Sequence, residues 1–382
     1  MMGAAEYDVI VAGDGPAAAA VVFECRGRGL DVVVVGPSTT WSATYAMWRD
    51  EAPDLPAACF ADVTDRTVVR ARSDRSFARP YGVVDNVALR HHLGLDEVRR
   101  HGRVERHVDA GDLVVVHLTD GDLLAGRWLV DATGRTDADV WQTAYGVVVS
   151  AADVERAGYS ATDATVMAWL PGVSPPCFVY SVPVPHGWLV EVTSLAARPV
   201  VDPQRLRRVL IDVVGEAAVV AAEALGRTET VRIPMGGQRL PTPGGRVVPF
   251  GNAGGLGHPA TGYSLAASLA AAGRLGAAIA ADADPVDALW SPALRRTRDL
   301  HEGGLAALLR LDGDGLIDFF EAFYSIPPDL WADYLRVDAP DDRTATAMRA
   351  VFRAAPWSVR RRLFGLDRRL LGRLARASVR SH

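Results

Sequence analysis

The residue that most suggests chemistry is a single carboxylate, Glu191, at the end of an apolar run. The segment WLVEVTSLAARP, from Trp188 to Pro199, reads as a strand. A carboxyl group in an apolar pocket keeps its proton to a higher pH than one in water, and it can then act as an acid. On the solvated face of a half-buried strand the same glutamate would do no chemistry, and for an isolated acid this is the commoner case. The segment alone leaves both interpretations open.

A second group of residues predicts a dinucleotide site. Tyr7 to Ala12 reads as a strand, followed by G-D-G-P-A-A, an alanine-rich helix and a second strand from Asp31 to Val35. Gly13 allows a tight turn, and Gly15 lets the backbone approach a pyrophosphate. Pro16, Ala17 and Ala18 open a helix whose N-terminal N–H groups attract an anion, with Ala18 in the place of the third glycine.

One part of this fingerprint is missing. About 20 residues further on, an acidic residue ordinarily ends the second strand and binds the ribose hydroxyls. Gly36 stands there instead. Adenosine binding must therefore be looser, or it must use another donor or acceptor.

Two further strand-to-glycine turns belong to the same predicted site. Leu129 to Gly134 supplies Thr133 and Gly134, and a second strand and turn begin at Arg246. The candidate contacts in that second turn are Gly251, Asn252, Gly255 and Gly257. Backbone N–H groups at such turns suit an anion or a carbonyl. Three separated turns favour a flavoprotein over an NAD dehydrogenase, although any α/β protein contains such turns and two of the three could be only that.

Composition and charge exclude several classes of function. With 49% hydrophobic and 23% charged residues the chain is globular, and its net charge of −5 gives no electrostatic case for nucleic acid. Neither a signal peptide nor a membrane-spanning run is visible, and three scattered cysteines indicate a reducing compartment and no metal site, with the cytosol as the default. Every cationic residue among the 41 is arginine, which excludes lysine Schiff-base and P-loop chemistry.

The order of the segments predicts an α/β fold with an inserted sheet. We expect a Rossmann-like cofactor domain over residues 1–150, in which 41–81 lie partly on the substrate side. A β-sheet substrate domain follows over 151–232, because its strands are long and apolar. Residues 233–285 should complete the cofactor domain, and 286–382 should form a helical region. Apolar strands indicate either a hydrophobic substrate cavity or a sheet packed under helices. The oligomeric state has no signature in the sequence.

The C-terminal segment from Ser358 to Arg380 predicts a basic amphipathic helix. Its sequence is SVRRRLFGLDRRLLGRLARASVR, and one helical face carries Leu363, Leu366, Leu370 and Leu374. Such a helix can lie on an anionic membrane surface. It can equally dock on its own domain through the leucine stripe. Both possibilities stay open.

A series of motifs resembles one known family. They are VAGDGPAAAA, WSATYAMWRDE, RPYGVVD, QTAYGVVV, EVTSLAARP, IPMGG, NAGGLGHPATGY and LDGDGLIDFFEAFY, in this order. Together they make the chain similar to the FAD-dependent lycopene cyclases of bacteria and plants, over nearly the whole length up to about Leu335. The resemblance implies a hydroxybenzoate-hydroxylase-like flavoprotein architecture, reduced FAD with NADPH as the expected reductant, and a membrane-dissolved polyene substrate.

The resemblance also implies roles for individual residues. Glu191 occupies the first acidic position of the family's Glu-Glu-Thr-Ser-Leu motif and is expected to protonate the alkene in a redox-neutral cyclisation. Asp50 and Glu51 match an acid pair that could orient the flavin or take the departing proton, or that could be only exposed loop acids. Trp48 is expected beside the cofactor. His258 is expected by the flavin or the pocket mouth, or else in a structural turn.

Several positions depart from the family pattern. Val192 replaces the motif's second glutamate, Ser150 stands where an acid is usual, and Ala168 belongs to a segment that lacks the family's aspartate. These changes are expected to thin the acidic lining of the site, which would point to another polyene or isoprenoid. The leading hypothesis is a flavin-dependent cyclase. The alternatives are an FAD-dependent monooxygenase or epoxidase on a similar substrate, and a polyene-binding protein that lost tight flavin binding.

Overall fold

The computed structural model describes residues 6–134 and 137–363. The strands are β1 (Tyr7–Ala12), β2 (Val32–Gly36), β3 (Ala46–Trp48), β4 (Phe60–Thr64), β5 (Thr67–Arg70), β6 (Asp74–Phe77), β7 (Tyr81–Val84), β8 (Arg99–His101), β9 (Val104–Asp109), β10 (Val114–Leu118), β11 (Leu123–Asp131), β12 (Trp141–Val149), β13 (Ala164–Trp169), β14 (Cys177–Val184), β15 (Gly187–Ala197), β16 (Thr228–Pro234) and β17 (Val247–Pro249). The helices are α1 (Pro16–Arg26), α2 (Asn86–His92), α3 (Ala151–Arg156), α4 (Pro203–Val214), α5 (Glu216–Ala224), α6 (Leu265–Ala280), α7 (Pro285–Leu289), α8 (Pro292–Leu308), α9 (Gly313–Phe323), α10 (Pro328–Leu335), α11 (Asp341–Ala354) and α12 (Trp357–Leu363).

The first sheet brings the predicted glycine turns together. Its order is β8-β2-β1-β11-β10-β9, with β17 paired to β11, and β1 runs parallel to both β2 and β11. The carboxyl ends of parallel strands meet at one edge of a sheet, so the turns after Ala12, Gly36, Asp131 and Pro249 lie side by side. This arrangement confirms the Rossmann-like fold predicted from the sequence.

Helices α1 and α6 pack together against the first sheet through small residues. Ala18, Ala19 and Val22 of α1 and Ala271 and Leu275 of α6 share one core with the strands. Small side chains let two helix backbones approach closely, which explains why both helices are rich in alanine. This packing fixes the start of α1 at the end of β1.

The second sheet has one face towards helices and one towards a cavity. Its order is β16-β12-β15-β14-β13-β5-β6. Successive residues of a strand point to opposite faces. Along β15, Trp188, Val190 and Val192 therefore join the core under α4 and α5, whereas Leu189 and Glu191 face the cavity. A third, small sheet of β3, β7 and β4 lies beside it.

Sheet pairing shifts the predicted segment boundaries. The predicted end of the first cofactor segment at residue 150 falls after β12, yet β12 pairs with β15 and β16 of the second sheet. Its apolar alternation looks the same in either sheet, so the sequence could not show which partner it takes. The β5–β6 hairpin, inside the 41–81 segment, also belongs to the second sheet.

Within the described residues, the region after Pro285 is helical, as predicted. Helices α8 to α12 pack with the cavity-side residues of the second sheet in a core rich in aromatic rings. Val359 and Leu363 of α12 are buried in it. Of the predicted leucine face, Leu366, Leu370 and Leu374 lie outside the described residues. In the described part of the chain, none of the helices has the length and apolar character needed to cross a membrane.

Candidate active site

A cleft of about 830 Å³ lies at the edge of the first sheet where the glycine turns meet. Several predicted cofactor residues line it, namely Gly13, Gly15, Pro16, Ala17, Thr133, Gly134, Gly251 and Asn252. Gly13 has φ +105°, and a Cβ there would lie 2.5 Å from the carbonyl oxygen of Ala132. Only glycine therefore lets β1 turn into α1 beside the end of β11.

The cleft fits the anionic part of a dinucleotide. Helix α1 starts at Pro16, and its N-cap residue Gly15 makes no side-chain capping bond. The N–H groups of the first turn are thus available to a pyrophosphate, which the positive end of the helix also attracts. In the described part of the chain, no group of His, Cys, Asp or Glu residues could hold a metal ion.

Other predicted cofactor residues lie outside the cleft. Ala18 is fully buried in the helix core. Gly255 and Gly257 are behind the turn, where their carbonyls accept hydrogen bonds from Nη1 of the buried Arg298, a residue that sequence reasoning missed. Their role is to let the turn fold around this cation. Arg298 lies on α8, far from the turn in the sequence, so no local sequence pattern could predict this contact.

None of the predicted residues Asp50, Glu51 and Trp48 lines the cofactor cleft. Arg79 binds both carboxylates, and its guanidinium lies over the Trp48 ring at 4.3 Å from the ring centre. Trp48 is buried among aromatic rings, and its contact with the cofactor stays a prediction. Burial raises the pKa of Glu51 to about 7, partly opposed by Arg79. Glu51 lines a small cavity behind Tyr263.

His258 lies in the interior. It lines neither the cofactor cleft nor the aromatic cavity that adjoins this cleft. Its Nε2 is 3.0 Å from the carbonyl oxygen of Tyr334, and its Nδ1 accepts a hydrogen bond from the N–H of Ala260. Its ring lies against that of His301 in a tilted arrangement, with 4.1 Å between the ring centres. Burial lowers the pKa of His258 to about 3, so the ring is neutral. These contacts give it the structural-turn role, because the loop folds back onto α10 through this ring.

A second cavity of about 410 Å³ adjoins the cleft. The two share Tyr45, Asn252, Ser264 and Leu265 in their walls. Aromatic side chains form much of the second cavity's lining, namely Tyr81, Phe178, Tyr180, Tyr263, Phe320 and Tyr324. An apolar pocket with a few convergent polar groups is the usual form of a small-molecule site.

Glu191 is the buried acid of this cavity. On β15 it pairs with Gly146 of β12, and a Cβ at position 146 would lie 2.6 Å from the Glu191 Cγ. Gly146 thus leaves the space in which this side chain lies. Burial in apolar surroundings, and secondarily the charge of Glu229, raise the pKa of Glu191 to about 8. Glu191 is therefore a protonated acid at neutral pH.

Glu229 is a second carboxylate in the cavity, and sequence reasoning missed it. It pairs with Gly146 from the opposite side, because β12 lies between β15 and β16. The backbone N–H and the hydroxyl of Thr44 donate to its two oxygens at 2.7 and 2.6 Å. The cavity therefore holds two carboxyl groups, one on either side of Gly146.

The departures from the family pattern do not thin this lining. Val192 and Ala168 point to the other face of the sheet, into the core under α4 and α5. Ser150 is the N-cap of α3 and forms a capping box with Asp153. The expectation that these positions had removed acids from the site is wrong, because strand alternation and the end of β12 direct them elsewhere.

The sequence profile described as "Lycopene cyclase protein" matches residues 8–358. The chain belongs to this family. It is 32% identical to an uncharacterized carotenoid cyclase of Deinococcus radiodurans, over 91% of this chain and 90% of that one. It is 28% identical to a lycopene beta cyclase of Narcissus pseudonarcissus, over 86% of this chain and 73% of that one.

Solved structures show the same fold at low sequence identity. A geranylgeranyl bacteriochlorophyll reductase-like protein of Thermoplasma acidophilum matches with a TM-score of 0.64 and 13% identity, over 94% of this chain and 99% of that one. Klebsiella pneumoniae HpxO, solved with FAD and uric acid, matches with a TM-score of 0.57 and 19% identity, over 91% of this chain and 97% of that one. At these identities the likeness concerns the fold alone.

The buried cation behind the glycine turn gives a stability prediction. Arg298→Met would keep the apolar stem but leave the carbonyls of Gly255 and Gly257 without a donor, and we expect a loss of about 3 kcal/mol in unfolding free energy. The matched control is Arg296→Met on the same helix, whose partner Asp341 is at the surface, with an expected loss below about 1 kcal/mol. Urea denaturation measures both. Equal losses would contradict the role of Arg298.

Proposed function

We propose that this protein is a flavin-dependent, redox-neutral cyclase of a linear polyene or isoprenoid. The observation that carries the proposal is Glu191, a carboxyl group kept protonated inside an aromatic cavity that adjoins the dinucleotide cleft. A terminal alkene is a very weak base, so its protonation needs a positioned acid and the exclusion of water. Membership of the lycopene cyclase family supports the same chemistry.

The proposed reaction begins with transfer of the Glu191 proton to the terminal alkene. The resulting tertiary cation is attacked by a nearby double bond of the same chain, which closes a six-membered ring. A proton then leaves the ring, so product and substrate are isomers. Glu229 faces the same cavity and is our candidate acceptor for this proton, because two hydrogen bonds from Thr44 hold its carboxyl group in place. Asp50 and Glu51 are paired with Arg79 and do not line this cavity.

The cavity wall suits a carbocation. Tyrosine and phenylalanine faces attract a cation, and this attraction strengthens when water is excluded. The Tyr180 hydroxyl donates to that of Tyr81 at 3.3 Å, so the Tyr180 O–H has an acceptor inside the cavity wall. The carboxyl oxygens of Glu229, positioned by Thr44, add preorganised stabilisation where positive charge develops.

We assign FAD to the cleft, with NADPH as the reductant. The glycine turns and the uncapped α1 N-terminus support a dinucleotide, and Asn252 lies where the cleft and the aromatic cavity meet. When bound in reduced form, the flavin supplies negative charge beside the cavity. The roles of this chain's residues are to hold the dinucleotide and to keep the reacting carbon away from water.

The acid role of Glu191 predicts loss of cyclisation in Glu191→Gln. In cells that accumulate lycopene, we expect the wild type to form cyclic product and the variant to be slower by about 100-fold or more, since general acid catalysis supplies factors of this size. Chromatography of the carotenoids is the measurement, and Glu223→Gln, on the far side of the sheet, is the matched control. Cyclic product from both Glu191 forms would remove Glu191 from the mechanism.

The same assay separates the monooxygenase or epoxidase alternative, which the shared fold leaves possible. Under isotope-labelled dioxygen a cyclase product carries no label, whereas a monooxygenase product does. Unchanged lycopene with the wild type would indicate that the substrate is another polyene.

The charge of Glu229 predicts a shift in the pH profile. Activity requires protonated Glu191, so it is present at low pH and is lost as the pH rises through the raised pKa of this group. Glu229→Gln removes a neighbouring charge that helps to raise the Glu191 pKa. The alkaline limb of the pH profile should therefore move to lower pH. Burial should still keep the Glu191 pKa above the ordinary glutamate value. Glu223→Gln should leave the limb in place. An unmoved limb in Glu229→Gln would show that the two carboxyls do not interact.

We also propose contact with an anionic membrane surface, because the substrate class is membrane-soluble and the sequence after Leu363 is basic. A chain truncated after Leu363 keeps the buried Val359 and Leu363. Sedimentation with anionic liposomes should recover less of this truncated chain than of the full chain, and added salt should weaken the binding of the full chain. Equal recovery of both would exclude the tail as the membrane contact.

A further inference from the structure

We propose that Asp14, the residue between the two glycines of the first turn, binds the adenosine ribose in place of the acid that Gly36 lacks. This inference rests on the proposed FAD site. The two positions are neighbours because β1 and β2 are parallel and adjacent, with Ala12 paired to Val35. Gly36 is the last residue of β2 and Asp14 follows the end of β1 by two residues, so both reach the same edge of the sheet.

The side chain of Asp14 occupies the space that a side chain at position 36 would need. An ideal Cβ at Gly36 would lie 2.5 Å from the Cβ of Asp14, 2.7 Å from its Cγ and 3.1 Å from its Oδ2. The first two distances are shorter than any real carbon contact. An acid at 36 and an acid at 14 thus exclude each other, and this chain has the one at 14.

The carboxylate of Asp14 is held in place and has acceptor capacity left. It is almost fully buried and lines the cofactor cleft. The N–H and the hydroxyl of Thr39 donate to its Oδ2 and Oδ1, each at 3.0 Å, and the Trp41 indole donates to the Asp14 carbonyl. A carboxylate accepts about four hydrogen bonds, so after the two from Thr39 it can accept from a ribose hydroxyl.

A second acid, Glu105, also lines the cleft. It lies on β9, at the edge of the first sheet, and is exposed to solvent. An exposed side chain has to be ordered on binding, whereas Asp14 is already fixed, so Asp14 is the better preorganised acceptor. Glu105→Gln is therefore the matched control for Asp14→Asn.

The test measures the affinity of purified apoprotein for two ligands, FAD and an FAD analogue that lacks the 2′-hydroxyl of the adenosine ribose. Quenching of flavin fluorescence gives both dissociation constants. The wild type should prefer FAD by about tenfold or more, as expected for a hydrogen bond to a charged group. Asp14→Asn should lose most of this preference, and Glu105→Gln should keep it. Asp14→Gly combined with Gly36→Asp should restore it, because the acid returns to the end of β2.

The outcomes separate the two proposals. A wild type that binds no FAD would overturn the proposed cofactor and this assignment together. A wild type that binds FAD, with the same preference kept in Asp14→Asn, would overturn only the assignment to Asp14 and reduce that residue to a support for Thr39. Loss of the preference in Glu105→Gln alone would transfer the role to Glu105.

Discussion

The whole arrangement depends on keeping one carboxyl group, Glu191, out of water. A buried carboxylate is costly unless it is paired, so Glu191 takes up a proton instead. The neighbouring Glu229 increases this effect. Thr44 holds the Glu229 carboxyl group in place with two hydrogen bonds. The cavity therefore combines a carboxyl group that keeps its proton with a second, positioned carboxyl group.

The register of the second sheet produces this pairing. Strand β12 lies between β15 and β16, and Gly146 faces Glu191 on one side and Glu229 on the other. A larger residue at 146 would collide with the Glu191 side chain. The region after Pro285 then adds the rings of Phe320 and Tyr324 to the cavity wall, which help to exclude water. The cofactor cleft meets this cavity at Asn252 and Ser264, so the two sheets jointly define the site.

The parts of the structure that depend on local pattern could be predicted from the sequence. The β1–α1–β2 unit and the glycine turns follow from hydrophobic periodicity and turn residues, and Glu191 stood out because an acid is unusual in an apolar strand. Glu229 did not stand out, since the alternation around it is that of an ordinary half-exposed strand. Its meaning comes from pairing with β12, far away in sequence. Arg298 reaches the glycine turn from a helix that is distant in the sequence. Motif membership does not give the direction of a side chain, so it left open whether Trp48 and His258 contact the cofactor.

The effect of a departure from the family pattern depends on where the side chain at that position lies in the fold. Val192 and Ala168 face a helix-covered core, and Ser150 caps α3, so the absence of acids there leaves the cavity unchanged. These positions consequently give no reason to expect an unusual substrate. Gly36 is the opposite case, because the space beside it is filled by the Asp14 side chain. The acid that is missing at the end of β2 is thus found at the neighbouring end of β1. Position 36 has to be glycine because the Asp14 side chain fills the space beside it.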